Sequence, residues 1–404
     1  MAFDKNFKPV LRFLVVSDVH YADERSVEYE RMEKALRTAY ELSENEEYSK
    51  LDAVYVVGDF TKRGSEAQMR AFKKTLDENI KEGTEVTVSL ASHEYMTDGE
   101  EAALKRFAEI FESEHDTHKV INGYHFISVT STNGCHFDDA KQAWAAAELK
   151  KAAKDAPKKP IFFFQHPHIM GTVYGSANWG EDELTAILMN YPQVINFSGH
   201  SHAPINDPRS IHQKHFTCLG TGTLSYFELD EFDKVYGTIP PNEEKAAQMT
   251  IVEADADMRV RIYPYDVLGG KFYPMTWEID SAWDPNSFLY TDARYKTDAA
   301  PWFEENAKAE ITNVKENGFT VEFDQAVTDD YYVNDYNIYI KTDEGVIVRN
   351  STVWSEFYFS EMPDKLSVSF ENLDKNETYY AEVYAGSFWK TRSKTPLVSK
   401  KIKL

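Results

Sequence analysis

Seven side chains able to bind a divalent ion or move a proton stand where apolar runs of this chain stop. LRFLVVSD ends in Asp18, with His20 two residues on; DAVYVVGD ends in Asp59; TEVTVSL is followed, after Ala91 and Ser92, by His93; PIFFFQ leads to His166; QVINFSG leads to His200 and His202. Carboxylates and imidazoles together suit borderline divalent ions such as Mn²⁺, Fe²⁺ or Zn²⁺. Two ions would need two ligand sets and a shared group, and an Asp carboxylate bridges well. A lone His at a strand end is more often a hydrogen-bonding residue than a ligand. It is the joint pattern that points to a metal centre.

Such residues converge only if the elements before them deliver them to one edge. LRFLVVSD, DAVYVVGD, EVTVSL, YHFISVTST, PIFFFQ and QVINFSG read as strands. SVEYERMEKALRTAYEL, SEAQMRAFKKTLDENI, GEEAALKRFAEIFE, KQAWAAAELKKAAKD and EDELTAILMN carry helical spacing. The alternation predicts an α/β fold with helices on a largely buried sheet. In such sheets ligands bind at the carboxyl ends of the strands, where these motifs fall. FTCLGTGTLSYFEL, AAQMTIVEADADMRVRIYPYD and PMTWEID read as further strands that complete a first domain, residues 1–280. Residues 281–306, polar and irregular with two prolines, read as a linker. Residues 307–404 read as an all-β domain; LDKNETYYAEVYA looks like the strand entry of a fibronectin type III or Ig-like sandwich, where a Tyr secures a corner.

In order and type, DVH, GDF, ASHE, HPH and GHSH resemble the motifs of the calcineurin-like metallophosphoesterases: DxH, GD, GNH followed by an acid, H, and GHxH. The resemblance spans roughly residues 10–270. It implies a four-layer αββα sandwich, mixed α/β (α+β) in class, and hydrolysis of a phosphoester at two divalent ions roughly 3.5–4 Å apart that activate a shared water. Carried over by position, Asp18, His20 and His202 would hold the first ion, Asp59 would bridge, and His166 and His200 would hold the second. His93 would assist departure of the leaving oxygen. The chain departs from the family at one motif, where the GN pair is Ala91-Ser92. The family's Asn gives its amide oxygen to the second ion. The Ser92 hydroxyl is shorter and a poorer donor, so direct ligation, ligation through water and no ligation all stand open, and a weaker second site is expected.

Candidate substrate contacts surround these motifs. His168 follows His166 by two residues. The loop MGTVYGSANWG holds Tyr174, Asn178 and Trp179, which could stack on a flat group. Arg63 and Arg209 follow metal motifs and could meet phosphate. GHSHAPINDPRSI followed by GTGTLSYFEL, with the added β domain, looks more like the bacterial class III cyclic-nucleotide phosphodiesterase branch than the protein Ser/Thr phosphatases. The expected substrate is therefore a small phosphodiester such as a cyclic nucleotide. A phosphomonoester is the second reading. A third is a non-catalytic phospho-ligand-binding protein, should Ser92 have disabled the second ion.

The net charge is −23, and residues 306–404 carry only −4 of it. A surface that acidic repels nucleic-acid polymers and anionic membranes. No window holds the ~18 apolar residues of a membrane helix, so no membrane insertion is expected. The first residues carry no apolar leader, which leaves two readings of location: an exported or cell-surface protein whose leader has been removed, or a cytoplasmic one. The β domain is a candidate partner or wall contact. Cys135 and Cys218 sit in no CxxC or zinc pattern and read as two unpaired small hydrophobes.

Overall fold

The computed structural model describes residues 2–23, 26–232 and 236–404. It divides into two compact units, Met1–Asp292 and Ala293–Leu404.

The first unit holds two large sheets. In one, Pro9–Val16, Ala53–Val57 and Glu85–Ser89 run parallel, and Gln248–Asp255 and Val260–Asp266 extend the sheet antiparallel beyond Pro9–Val16. In the other, Tyr124–Ser128, Ile161–Phe164, Val194–Ser198 and Thr217–Gly220 run parallel, with Thr117–Ile121 and Ile211–Gln213 antiparallel at the edges. Ala53–Val57, Tyr124–Ser128, Ile161–Phe164, Val194–Ser198 and Thr217–Gly220 are buried on both faces, the setting in which parallel strands read as largely apolar runs.

Strand period two decides what each face meets. Phe13 points between the sheets, with its ring centroid 4.7 Å from Phe162, 5.0 Å from Phe126 and 6.0 Å from Phe197. Tyr55 stacks 4.1 Å from Phe164 in the same layer. The neighbours of Phe13, Leu14 and Val16, face outward into a cluster with Met32, Leu36, Met69 and Phe72 of two helices. On the far side Ile127, Ile161 and Phe163 pack on Ala145, Leu149 and Ala152. The result is helix, sheet, sheet, helix, the four-layer αββα arrangement.

The helices start where side chains can satisfy their first N–H groups. Ser26 caps Val27–Glu44, Ser65 caps Glu66–Asn79 and Asp138 caps Asp139–Asp155. The EDELTAILMN segment forms only the single turn Thr185–Leu188. No helix among the described residues is long and apolar enough to cross a membrane.

The second unit is all β around its own core of Phe319, Val321, Phe323, Tyr336, Ile338, Ala381 and Val383. Tyr379 donates its hydroxyl to the Asp374 carbonyl at 3.0 Å and accepts from the Asp374 N–H at 3.0 Å, fixing the entry to the Thr378–Gly386 strand. Residues 281–306 are shared between the units. Leu289 and Tyr290 donate their N–H groups to Gln213 Oε1 at 2.8 and 3.0 Å. Trp302 exchanges backbone hydrogen bonds with Val327 in the second unit.

Candidate metal centre

Five parallel strands end at one edge, and the chain turns sharply as it leaves them. The turn uses the left-handed backbone region: φ is +50° at Asp18, +50° at His20, +47° at Asp59, +73° at His200 and +53° at His202. That conformation costs about 1–2 kcal/mol per non-glycine residue, and here it recurs at five of the seven residues that the sequence singles out. Backbone strain held in place by a packed scaffold is a mark of functional sites.

The side chains gather in overlapping groups whose ligand atoms lie within 4.8 Å of one another: Asp18 with His20 and His202, His20 with Asp59 and His93, and Asp59 with His166 and His200. The first and third groups are the two predicted ligand sets, and Asp59 belongs to the second and third.

The polar atoms fit divalent ions better than they fit one another. His166 is fully buried and donates Nδ1–H to the Val57 carbonyl at 2.7 Å. Its Nε2 lies 3.0 Å from Asp59 Oδ2 but has no hydrogen-bond partner. His202 likewise donates Nδ1–H to the Tyr226 carbonyl at 2.8 Å, which leaves Nε2 facing His20 Nε2 at 3.1 Å and Asp18 Oδ1 at 3.3 Å. An imidazole whose second nitrogen is anchored this way presents a lone pair to a metal. Burial works against charge on His166, yet Asp59 and Asp18 outweigh it and push its pKa up to about 10. Burial would raise Asp18 and Asp59, but the neighbouring imidazoles, His202 first for Asp18 and His166 first for Asp59, hold both carboxyls down. Burial pushes His20 down to about 3 and His200 down to about 4.

A second layer of residues fixes these ligands. Ser17 donates to Asp18 Oδ2 at 2.6 Å and contacts Thr221 Oγ1 at 2.7 Å. The His200 N–H reaches Asp18 at 3.1–3.2 Å. Gly199 must be glycine, since a Cβ there would lie 2.4 Å from Asp18 Oδ2. Glu94, buried, accepts from Thr61 N, Thr61 Oγ1 and Ala91 N at 2.8–2.9 Å and so ties the Asp59 turn to the His93 turn.

The other predicted residues are placed as follows. His93 is half-buried; its ring Nδ1 is 3.2 Å from His20 Nδ1 and 3.0 Å from the Lys62 carbonyl. Ser92 Oγ faces Asp59, 3.3 and 3.4 Å from its oxygens. Trp179 is 37% exposed and stands edge-on to His200, with ring centroids 4.8 Å apart. Asn178 is exposed on the same short helix, Ser176–Trp179. His168 is buried with both nitrogens bonded to hydroxyls, Ser198 and Ser201, each at 2.7 Å. Tyr174 is turned to Asp230, its hydroxyl 2.6 Å from Oδ1. Arg209 forms a fork on Asp207 and lies 3.8 Å over the Tyr174 ring. Its donors serve that pair. Arg63 is exposed.

Two neighbours of the centre have no sequence signal. Tyr226 packs its ring 4.2 Å from His202 and 5.7 Å from His20. Cys135 is unpaired, as expected, but it is more than a small hydrophobe: it brings Sγ to 3.6 Å from His200 Nε2, because the hairpin bearing it turns toward the histidines. Cys218 is buried in the core of the second sheet. A further group, His136 with Glu181 and Glu183, forms ion pairs at 3.1–3.4 Å at the surface.

Residues 11–204 match the family profile described as Calcineurin-like phosphoesterase. No curated protein matches the chain. Among solved structures, purple acid phosphatase PPD1 from yellow lupin (Lupinus luteus) seeds is 15% identical over 67% of this chain and 53% of its own, with a TM-score of 0.49. A structure of PhoD is 12% identical over 68% and 69% of the two chains, with a TM-score of 0.38. Domains d3–d4 of the rat CD45 extracellular region are 16% identical over 26% and 51%, with a TM-score of 0.20. The chain spans about half the length of the lupin protein.

Proposed function

We propose, from the match of residues 11–204 to the calcineurin-like phosphoesterase profile, that the chain hydrolyses phosphoesters and that its preferred substrate is a phosphodiester. The charge around the site carries the choice. Arg209 is committed to Asp207. Glu228 lies close enough to His202 and Asp18 to exchange electrostatic shifts with them. Once two divalent ions draw in the phosphoryl group, the second negative charge of a monoester meets Glu228 with Arg209 already engaged, whereas the single charge of a diester is neutralised by the ions alone.

On this reading Asp18, His20 and His202 hold one ion, His166 and His200 hold the other, and Asp59 serves both. When bound, the ions would supply Lewis-acid charge at the phosphoryl oxygens and make an attacking water acidic. His93, half-exposed beside His20 and steadied by the Lys62 carbonyl, gives a proton to the departing oxygen. Trp179, with Asn178 beside it, and Tyr226 flank the opening and take the organic part of the substrate. Arg63 is the exposed candidate for a phosphate contact. The likeness of GHSHAPINDPRSI to the class III branch supports a nucleotide-type diester, and the Tyr379 corner supports a fibronectin-type reading of the second unit as a partner-contact module.

The test compares bis(p-nitrophenyl) phosphate with p-nitrophenyl phosphate, with Mn²⁺ added and with chelated protein as control. Faster metal-dependent turnover of the diester is expected. A preference for the monoester would replace the reading with a phosphomonoesterase. No turnover of either by folded, metal-supplied protein would leave a phospho-ligand-binding role.

A further inference from the structure

A metal-binding imidazole needs its second nitrogen held, because that hydrogen bond sets the ring's orientation and tautomer. For His166 the Val57 carbonyl does this, and for His202 the Tyr226 carbonyl. For His200 the group at Nε2 is a sulfur, Cys135 Sγ at 3.6 Å. The short hairpin that presents it is well fixed. Thr132 and His136 exchange backbone hydrogen bonds of 2.6 and 3.0 Å, and the Asn133 N–H donates to Glu100 at 2.9 Å. Gly134, at φ +90°, lies so close to Ser92 that a Cβ would sit 2.5 Å from its Cα. A loop seated on Ser92, the position where the family's longer Asn is missing, thus delivers Cys135 to His200. Across the same group, the buried His166 faces Asp59 Oδ2 through Nε2 at 3.0 Å without forming a hydrogen bond.

We propose that Cys135 is a positioning residue for the second ion: its sulfur accepts the Nε2–H of His200 and so fixes which ring nitrogen faces Asp59 and His166. The proposal rests on the two-ion reading above. Sulfur is a weak acceptor beside a carbonyl. The second ion therefore has both a shorter side chain at Ser92, where the resembled motif has Asn, and a softer anchor behind His200, and it is the more easily lost of the two.

The test is titration of the metal-stripped full chain with Mn²⁺, reading free Mn²⁺ by electron paramagnetic resonance. Wild type is expected to bind two ions, the second more weakly. Cys135→Val fills the sulfur's space without an acceptor; Cys135→Ser keeps an acceptor in less space. Val is expected to weaken the second ion ~10- to 100-fold, Ser by no more than a few-fold. The first ion stays unchanged in both and reports that the fold is intact. Should Val disturb the first ion, Cys135→Ala takes its place with the same expected loss. Unchanged second-ion affinity without the sulfur, or an equal loss with Ser, overturns the proposal, since packing would then explain the residue. A wild type that binds a single ion overturns the two-ion reading instead.

Discussion

The Ser92 hydroxyl faces the Asp59 carboxylate, 3.3 and 3.4 Å from its two oxygens, and the next N–H, of His93, donates to the same carboxylate at 2.9 Å. The turn that departs from the calcineurin-like pattern is therefore joined to Asp59, the carboxylate proposed to serve both ions. Ser92 supports Asp59 whether or not it also reaches an ion.

From this, Ser92→Ala is expected to lower metal-dependent turnover about fivefold, the worth of roughly 1 kcal/mol for one long charge-assisted hydrogen bond. Asp59→Asn is expected to abolish turnover and the binding of at least one ion. Steady-state rates with metal analysis check both. A Ser92→Ala loss as deep as that of Asp59→Asn would mean that Ser92 is itself an indispensable ligand.

His93→Ala should slow hydrolysis about 10²–10⁴-fold when the leaving alcohol is poor. The loss should shrink with p-nitrophenol, which departs without a proton. Metal content should not change, since His93 is not among the six proposed ligands. A series of diesters graded by leaving-group pKa measures this, and a loss independent of the leaving group would remove His93 from that role.

Metal binding should release protons. In the metal-free protein, burial disfavours charge on His166, but Asp59 and Asp18 raise its pKa to about 10. The group is raised above its ordinary value of 6.5, so its contribution to metal-free stability is complete below that pH and is lost as pH rises through about 10. An ion must take the proton's place, so loading at pH 8 should expel about one proton from this ring. The release should fade above pH ~11. Calorimetry in buffers of different ionisation enthalpy counts the protons, and a count that does not fall with rising pH would contradict the assignment.

Phe13→Ala should destabilise the first unit by about 3–5 kcal/mol, because the ring is fully buried among aromatic side chains of both sheets. Gly199→Ala should cost metal affinity more than stability, because the added Cβ meets Asp18 Oδ2 at 2.4 Å. Denaturant unfolding and Mn²⁺ titration separate the two effects.

Much of the centre was legible because each motif follows a doubly buried strand. Apolar runs such as FFF before His166 give the strand, and a parallel sheet then leaves the polar residue at its carboxyl edge. His168 shows the limit of such reading. It sits two residues beyond His166, yet its nitrogens meet Ser198 and Ser201. Arg209 shows the same limit, because its partner is Asp207 in the same turn. In both cases the local sequence lists a possible contact, and the packing of neighbouring strands decides which one forms.

Residue types and their order by themselves determined the α/β alternation, the switch to β structure near residue 307 and the candidate donors Asp18, His20, Asp59, His166, His200 and His202. These depend on periodicity and on ligand chemistry, which are local. Only the tertiary structure decided that five of these residues leave their strands in the left-handed region, that Asp59 lies within reach of His20 and His93 as well as of His166 and His200, and that Tyr226 and Cys135 flank the histidines. Those facts depend on how separate loops meet at the sheet edges, where contacts join residues as far apart as Ser17 and Thr221, and no short stretch of chain encodes such a meeting.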